Sequence, residues 1–396
     1  MSLQDTPWSL RVHISLFGRR NVGKSSLMNA LLGQDLSIVS DVKGTTTDPV
    51  QKTMELLPVG PVVCIDTPGL DDEGELGNLR VEKSYRVLDR TDIALLVLDI
   101  CDGMDETEKK WLQILQDRKI PYILVYNKCE MIHREEWVKY QGENQTIVSA
   151  HKGYGIEQLK EMIAQRKPAS LTEYPILADL IKERDKVVLV MPIDASAPKG
   201  RLILPQQQTL REILDCHGVG ICCQPEELAQ TLKGLDNDVR LVVTDSQAFR
   251  QVEKIVPDSI SLTSFSILFA RHKGLLASAM EGAAYIEKLQ DGDKVLISEG
   301  CTHHRQCEDI GTKKLPMWIE QYTGKKLSFS FTSGTQFPQT VTDYQLIVHC
   351  GGCMLNPAEV KSRVRLCEQQ HVPITNYGIC ISYLNGILER CTEMFS

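Results

Sequence analysis

The chain has 396 residues, with 44 Lys and Arg against 52 Asp and Glu, a formal net charge of −8. An acidic chain without a basic run is a poor electrostatic partner for nucleic acid. Its 42% hydrophobic content rules out global disorder, and its apolar runs, such as Ile93–Leu98, have strand length, well short of the roughly 20 residues that cross a bilayer. The length suggests two or three domains. The N-terminal stretch reads as lacking a secretion signal. The 13 cysteines are therefore expected in a reducing cytoplasm, as buried thiols, nucleophiles or metal ligands and not as a disulfide framework.

Over residues 1–170, strand-like runs alternate with amphipathic helical patterns. Strands are expected at 11–17, 51–57, 61–66, 92–99, 121–127 and 145–149, and helices at 24–32, 75–88, 106–116 and 155–166. This is the pattern of a doubly wound α/β domain with a mostly parallel sheet, which binds ligands at the carboxyl ends of its strands.

The loops at those strand ends carry the chemistry. Gly18-Arg19-Arg20-Asn21-Val22-Gly23-Lys24-Ser25 matches G-x-x-x-x-G-K-S between a strand and a helix, the context a phosphate-binding loop requires. Its glycines free backbone N–H groups to wrap phosphates, and the helix N-terminus adds positive potential. Lys24 would reach the β- and γ-phosphates, Ser25 would ligate Mg²⁺, and Ser26 continues the loop. Asp66-Thr67-Pro68-Gly69 follows the third strand, where Asp66 can hold Mg²⁺ through water.

Asn127-Lys128-Cys129-Glu130 resembles the N-K-x-D element by which GTPases accept guanine N1 and N2, with Glu130 in place of the usual Asp. Ser149-Ala150-His151 resembles the backbone element that contacts guanine O6. Gly44-Thr45-Thr46-Thr47-Asp48 resembles the first switch of the TrmE–Era-like GTPases, with Thr46 favoured to close onto Mg²⁺ and the γ-phosphate. Asn21 stands where potassium-activated relatives bind the monovalent ion. Leu70 occupies the position that in many GTPases is a water-orienting Gln, so slow intrinsic hydrolysis is expected. The acidic segment around Asp71, Asp72, Glu73 and Glu75 reads as a solvated second switch.

A linker is expected at 171–185, then a second small α/β unit over 186–268. Its strands are expected at 186–193, 218–222 and 239–244, and its helices at 205–214, 225–232 and 245–252. It has no nucleotide loop, and Cys216, Cys222 and Cys223 read as buried thiols. Self-association is its expected role.

A third α/β unit is expected over 269–396. Strands at 294–298 and 344–349 each end in a cysteine cluster: Cys301-Thr302-His303-His304 after Glu299-Gly300, and Cys350-Gly351-Gly352-Cys353 after His349. If these strands are parallel neighbours, the two loops meet at one rim. Three cysteines and a nitrogen ligand suit structural zinc. Three cysteines with an exchangeable fourth position suit a 4Fe–4S cluster. Spacing alone slightly favours zinc, since most combinations of C-x-x-C with C-x-H are structural.

The combination of GRRNVGKSS, GTTTDP and C-x-H…H-C-x-x-C, with Pro192–Arg201 and the run Cys301–Trp318, resembles the FeFe-hydrogenase maturation GTPases over the whole chain. That resemblance implies a 4Fe–4S cluster on Cys301, Cys350 and Cys353, with His303 and His349 as candidates for the fourth position or its surroundings. It implies a dimerising middle domain and Mg²⁺- and K⁺-dependent GTP hydrolysis. It also implies a role as scaffold or carrier for a di-iron subcluster, made with two radical-SAM maturases and delivered to apo-hydrogenase. Cys307, Cys367, Cys380 and Cys391 are expected to be structural. The competing reading is a ribosome- or tRNA-directed GTPase with zinc in its tail.

Overall fold

The computed structural model describes residues 6–33, 49–70, 83–167, 174–193, 202–300, 310–334, 336–352 and 354–395. It divides into two compact units, Met1–Leu171 and Thr172–Ser396.

The first unit runs β1 (Val12–Phe17), α1 (Lys24–Leu32), β2 (Val50–Leu56), β3 (Gly60–Asp66), α2 (83–88), β4 (Ile93–Asp99), α3 (Glu106–Asp117), β5 (Tyr122–Asn127), β6 (Gln145–Ile147) and α4 (Ile156–Arg166). The sheet order is β2-β3-β1-β4-β5-β6. Only β2 is antiparallel, to β3. β1 and β4 are buried at every residue because helices cover both sheet faces; β4 accordingly reads as an apolar run over Ile93–Leu98, while β1 buries the polar His13 and Ser15 among its apolar residues. One core beneath α1 and α4 joins Ile14, Leu27, Leu95 and Leu159. A second, on the other face, joins Phe17, Leu96, Trp111 and Leu115. α3 opens on a reciprocal cap, Asp105 accepting from the Glu108 amide at 2.8 Å and Glu108 from the Asp105 amide at 3.1 Å. The order of elements is the Ras-like one, and the described boundaries fall within a few residues of expectation; the start of the helix expected at 75–88 lies outside the described residues.

The second unit begins with β7 (Lys186–Val190), α5 (Leu204–Asp215), β8 (Val219–Cys223), α6 (Leu228–Gly234), β9 (Leu241–Thr244), α7 (Phe249–Glu253), β10 (Ser261–Ser264) and α8 (Phe265–His272). It continues with α9 (Leu276–Ala284), β11 (Lys294–Glu299), α10 (Leu315–Thr323), β12 (Ser328–Ser333), β13 (Leu346–His349), α11 (Pro357–Gln369), β14 (Ile374–Asn376), α12 (Tyr377–Leu384) and α13 (Leu388–Thr392). Two four-stranded parallel sheets result, β10-β9-β7-β8 and β12-β11-β13-β14. They share one core: Val188 and Val242 of the first sheet and Leu296 and Ile347 of the second lie in a single buried cluster.

Two expectations change here. The segment 174–181 is no free linker. Ile176 and Leu177 are buried against Phe265 and Leu268, and the Glu212 carboxylate accepts the amides of Ile176, Leu177 and Ala178 at 3.2, 2.9 and 2.8 Å. Cys222 is exposed and Cys216 half-buried, leaving Cys223 as the buried thiol of the three. The cause is topological, since β8 is an edge strand with one side uncovered. Cys367, Cys380 and Cys391 are buried, and burial pushes each thiol up to about 12. Cys307 lies outside the described residues.

Candidate functional site: nucleotide loops and a cysteine rim

The phosphate loop leaves β1 through Gly18 and enters α1 through Gly23. Both need glycine. A Cβ on Gly18 (φ +148°) would meet the Val97 carbonyl oxygen at 2.3 Å, and one on Gly23 (φ +95°) would meet Asn127 Nδ2 at 2.3 Å. Asn21 adopts the left-handed region at φ 59°. Lys24 is buried, and its Nζ donates to the carbonyls of Gly18 and Arg19 at 2.8 and 2.7 Å, so it lies folded along the loop. Ser25 Oγ donates to Asp66 Oδ2 at 2.5 Å. Burial pushes the Asp66 carboxyl up, against the lowering effects of Ser25 and Lys24, and its Oδ1 is a buried oxygen without a hydrogen-bond partner. These two groups face each other as a pair of Mg²⁺ and water ligands does. Gly69 is buried, and Leu70 packs into the Phe17–Leu96 core, its amide donating to the Gly18 carbonyl at 3.3 Å.

At the base end, Asn127 joins three loops. Its Nδ2 donates to the Val22 carbonyl at 2.9 Å and its Oδ1 accepts the Ala150 amide at 3.0 Å. Lys128, with φ 66°, reaches Asp99 Oδ2 at 2.6 Å. Ser149 is buried, and its hydroxyl accepts the Lys152 amide at 3.0 Å. Glu130 follows in a short 3-10 turn, and its Oε2 is buried without a partner. A buried carboxylate oxygen without a hydrogen-bond partner thus lies at Asp66, beside the phosphate loop, and another at Glu130, after the Asn127 loop. Thr46 and the acidic residues 71–75 lie outside the described residues.

In the second unit, β11 and β13 are parallel neighbours, with Ser298 opposite His349. The loops that follow them meet at one rim. The Cys350 amide donates to the Ser298 carbonyl at 2.9 Å, and Cys350 Sγ accepts the amides of Gly300 at 2.9 Å and Gly352 at 3.3 Å. Amides aimed at a sulfur favour its thiolate form. Those two glycines immediately precede Cys301 and Cys353 in sequence. Cys301, Cys353, His303 and His304 lie outside the described residues. Among the described residues, no group of three or more His, Cys, Asp or Glu is arranged to hold a metal ion.

His349 is wholly committed. Nδ1 lies 2.6 Å from the Cys350 carbonyl oxygen and Nε2 lies 3.0 Å from Arg363 Nη1. Burial first, then the Arg363 charge, drives its pKa down to about 3, so the ring is neutral. Arg363 can only donate, so Nε2 accepts and Nδ1 carries the proton to the carbonyl. With both nitrogens engaged, His349 orients the cysteine loop, and of its two expected roles the ligating one loses its free nitrogen. Arg363, on α11, also donates to the Glu359 carboxylate at 2.6 Å and the Gly334 carbonyl at 2.8 Å. Sequence reading missed this arginine, since nothing in its local pattern marks it.

Comparison with known proteins agrees with this division. Residues 13–128 match the family model described as a 50S ribosome-binding GTPase. A tRNA modification GTPase MnmE from Dechloromonas aromatica is 37% identical over 153 residues, covering 38% of this chain and 34% of that protein. GTPase Era from Heliobacterium modesticaldum is 31% identical over 191 residues, 43% of this chain and 64% of that one. The chain thus spans between a third and two thirds of the length of these relatives. Among solved structures, the G domain of the T. maritima FeoB iron transporter is 28% identical and covers 40% of this chain and 99% of that one, at a TM-score of 0.30. Era from Aquifex aeolicus bound to GDP and aluminium fluoride is 20% identical over 62% of this chain and 99% of its own, at 0.34. The fold, the loops, the family model and the sequence relatives define a P-loop GTPase of the TrmE–Era-like class, for which GTP or GDP and Mg²⁺ are the ligands.

The second unit narrows this further. Residues 176–274 match the hydrogen maturase F dimerization domain and residues 277–394 the hydrogen maturase F tetramerization domain. The chain belongs to the hydrogen maturase F family of GTPases, and its second unit is built from self-association modules. No helix among the described residues is long and apolar enough to cross a membrane.

Proposed function

We propose that the chain is a GTP-hydrolysing scaffold that carries a 4Fe–4S cluster on Cys301, Cys350 and Cys353 and hands a di-iron precursor to apo FeFe-hydrogenase. The observation that carries this reading is Cys350 Sγ between the amides of Gly300 and Gly352, at 2.9 and 3.3 Å, each the residue before another cysteine. Three thiolates drawn from one rim suit an iron–sulfur cluster with one open corner. A bound cluster would supply an iron able to accept and release an external donor. The chain's own residues do the rest: the two glycine amides stabilise negative charge on sulfur, and His349 fixes the Cys350 carbonyl. His303 is then the candidate for the fourth position.

In the first unit, Lys24 would leave the Gly18 and Arg19 carbonyls for the β- and γ-phosphates. Ser25 and Asp66 would exchange their mutual hydrogen bond for Mg²⁺ and its water, with Thr46 completing the ion's shell. Glu130 Oε2 would accept from guanine N1 and N2, and Ala150 would meet O6. Asn21, at the exposed tip of the loop, is the candidate potassium ligand, where a monovalent cation would stabilise charge developing on the transferred phosphoryl group. Leu70, turned into the core, cannot orient water, in keeping with slow turnover. Nucleotide state would then bias partner binding through the switches. The partners in this reading are two radical-SAM maturases and the apo-hydrogenase, with assembly in the cytoplasm.

Anaerobic iron reconstitution followed by absorption and EPR spectroscopy tests the scaffold reading. About four irons per chain are expected, lost in Cys353→Ala. Tight stoichiometric zinc, or iron retained by that variant, overturns it.

A further inference from the structure

Beneath the cysteine rim lies a lysine that belongs to the other module. Lys273 follows α8, inside the span that matches the dimerization domain, yet its side chain is buried and reaches the loop after β13. Its Nζ donates to the Gly352 carbonyl at 2.5 Å and to the Leu355 carbonyl at 3.1 Å, one on each side of Cys353. Both residues it holds touch the rest of the rim. Gly352 gives its amide to Cys350 Sγ. The Leu355 side chain sits over Gly300, where a Cβ would come within 2.7 Å of Leu355 Cγ. The space around Gly352 is closed by Val360 and His349. Leu262, Ile267 and Ala270, within the dimerization span, share a core with Leu355 and Val360 of the tetramerization span.

We infer that Lys273 is a positioning residue by which the dimerization module fixes Gly352 and Leu355, the residues on either side of Cys353, in its neighbour. A charged amine donating to two carbonyls makes stronger hydrogen bonds than neutral donors do, and here they fix the backbone at Gly352 and at Leu355. Through Leu355 the same contact fixes the start of the Cys301 loop. Packing in the dimerization module is thereby coupled to the geometry of the rim. The link to the cluster rests on the scaffold reading above; the hold on the loop does not.

Hydrogen–deuterium exchange on the full-length, metal-free protein separates the two. In Lys273→Met, the peptide spanning 349–356 is expected to exchange about tenfold faster than in wild type, while the β7 and β9 amides keep their protection. After anaerobic iron loading, that variant is expected to surrender iron to a chelator about tenfold faster, and Lys273→Arg, which keeps the donors, to fall in between. Wild-type loop exchange in a variant that keeps β7 and β9 protected overturns the inference. If Lys273→Met loses protection throughout, Lys273→Gln decides by the same peptide: faster exchange supports the inference and unchanged exchange overturns it. Zinc in place of iron in the wild-type chain overturns the scaffold reading and with it the chelator arm, leaving the exchange of the empty loop to judge Lys273.

Discussion

Arg363 offers the sharpest quantitative test of the packing beneath the rim. Its side chain and that of Glu359 are 4% and 6% exposed, and their charged atoms lie 2.6 Å apart. Replacing Arg363 by Met keeps much of the volume but strands the Glu359 carboxylate and leaves the His349 Nε2 acceptor and the Gly334 carbonyl without their donor. Breaking one side of a buried ion pair costs about 3–5 kcal/mol, mostly the penalty of an uncompensated charge. In Arg363→Met with Glu359→Leu the stranded charge is gone. What remains is an unpaired imidazole acceptor and an unpaired carbonyl, about 1–3 kcal/mol each and common to both variants. The double variant should therefore be more stable than the single one. Native-state hydrogen exchange of the β11 and β13 amides reads the opening free energy of this unit directly. A loss of about 3 kcal/mol appears as a more than hundredfold rise in the opening equilibrium. A single variant within about 1 kcal/mol of wild type, or a double variant no better than the single, refutes the premise that charge burial dominates here.

Glu130→Ala is expected to weaken guanine-nucleotide affinity about tenfold or more while leaving ATP affinity unchanged, because it deletes the charged acceptor proposed for the base; competition of a fluorescent GDP analogue by GTP and ATP measures this, and an unchanged preference counts against Glu130 as the selector. Acid should loosen the 174–181 segment in two stages. Burial lowers the His272 pKa below its ordinary 6.5, so its stabilisation is complete above 6.5 and is lost as pH falls below that. The Arg271 hydrogen bond lowers Asp179 below 3.8, so its contribution persists through that first stage and is lost only in stronger acid. The melting temperature of wild type should drop between pH 6.5 and 5 more than that of His272→Gln; equal drops refute the assignment.

The parts legible in the sequence are those where chemistry restricts residue choice or burial leaves a plain periodicity. β4 and β5 announce themselves because a central parallel strand is apolar on both faces, β1 because Val12, Ile14, Leu16 and Phe17 dominate it despite His13 and Ser15, and the phosphate loop because only glycine survives at Gly18 and Gly23. β11 and β13 are readable for the same reason, and their cysteine loops with them. β10 escaped because Ser261–Ser264 contains a single large apolar residue. Its Thr263 is nevertheless fully buried, its hydroxyl donating to the Cys391 carbonyl at 3.0 Å across the unit, and Ser264 caps α8. β12 escaped although Ser328–Phe331 alternates polar and apolar residues, because this edge strand is short, holds only two large apolar side chains and buries neither fully. α12 is nearly all apolar and buried around its circumference, so it offers no amphipathic stripe to read.

The roles of His349, Arg363 and Lys273 were illegible for a different reason. Each is defined by a partner distant in sequence: Arg363 lies 14 positions from His349, and Lys273 lies 79 from Gly352. A histidine beside a C-x-x-C pair looks like a ligand because spacing is all that sequence supplies. Whether its nitrogens are free depends on what another helix delivers, and here α11 delivers a guanidinium to one nitrogen while the backbone takes the other. The consequence reaches back to the motif itself. With His349 turned inward and Lys273 beneath, Gly352 and Leu355 are held by a side chain from another element, and Cys350 Sγ is held by the amides of Gly300 and Gly352.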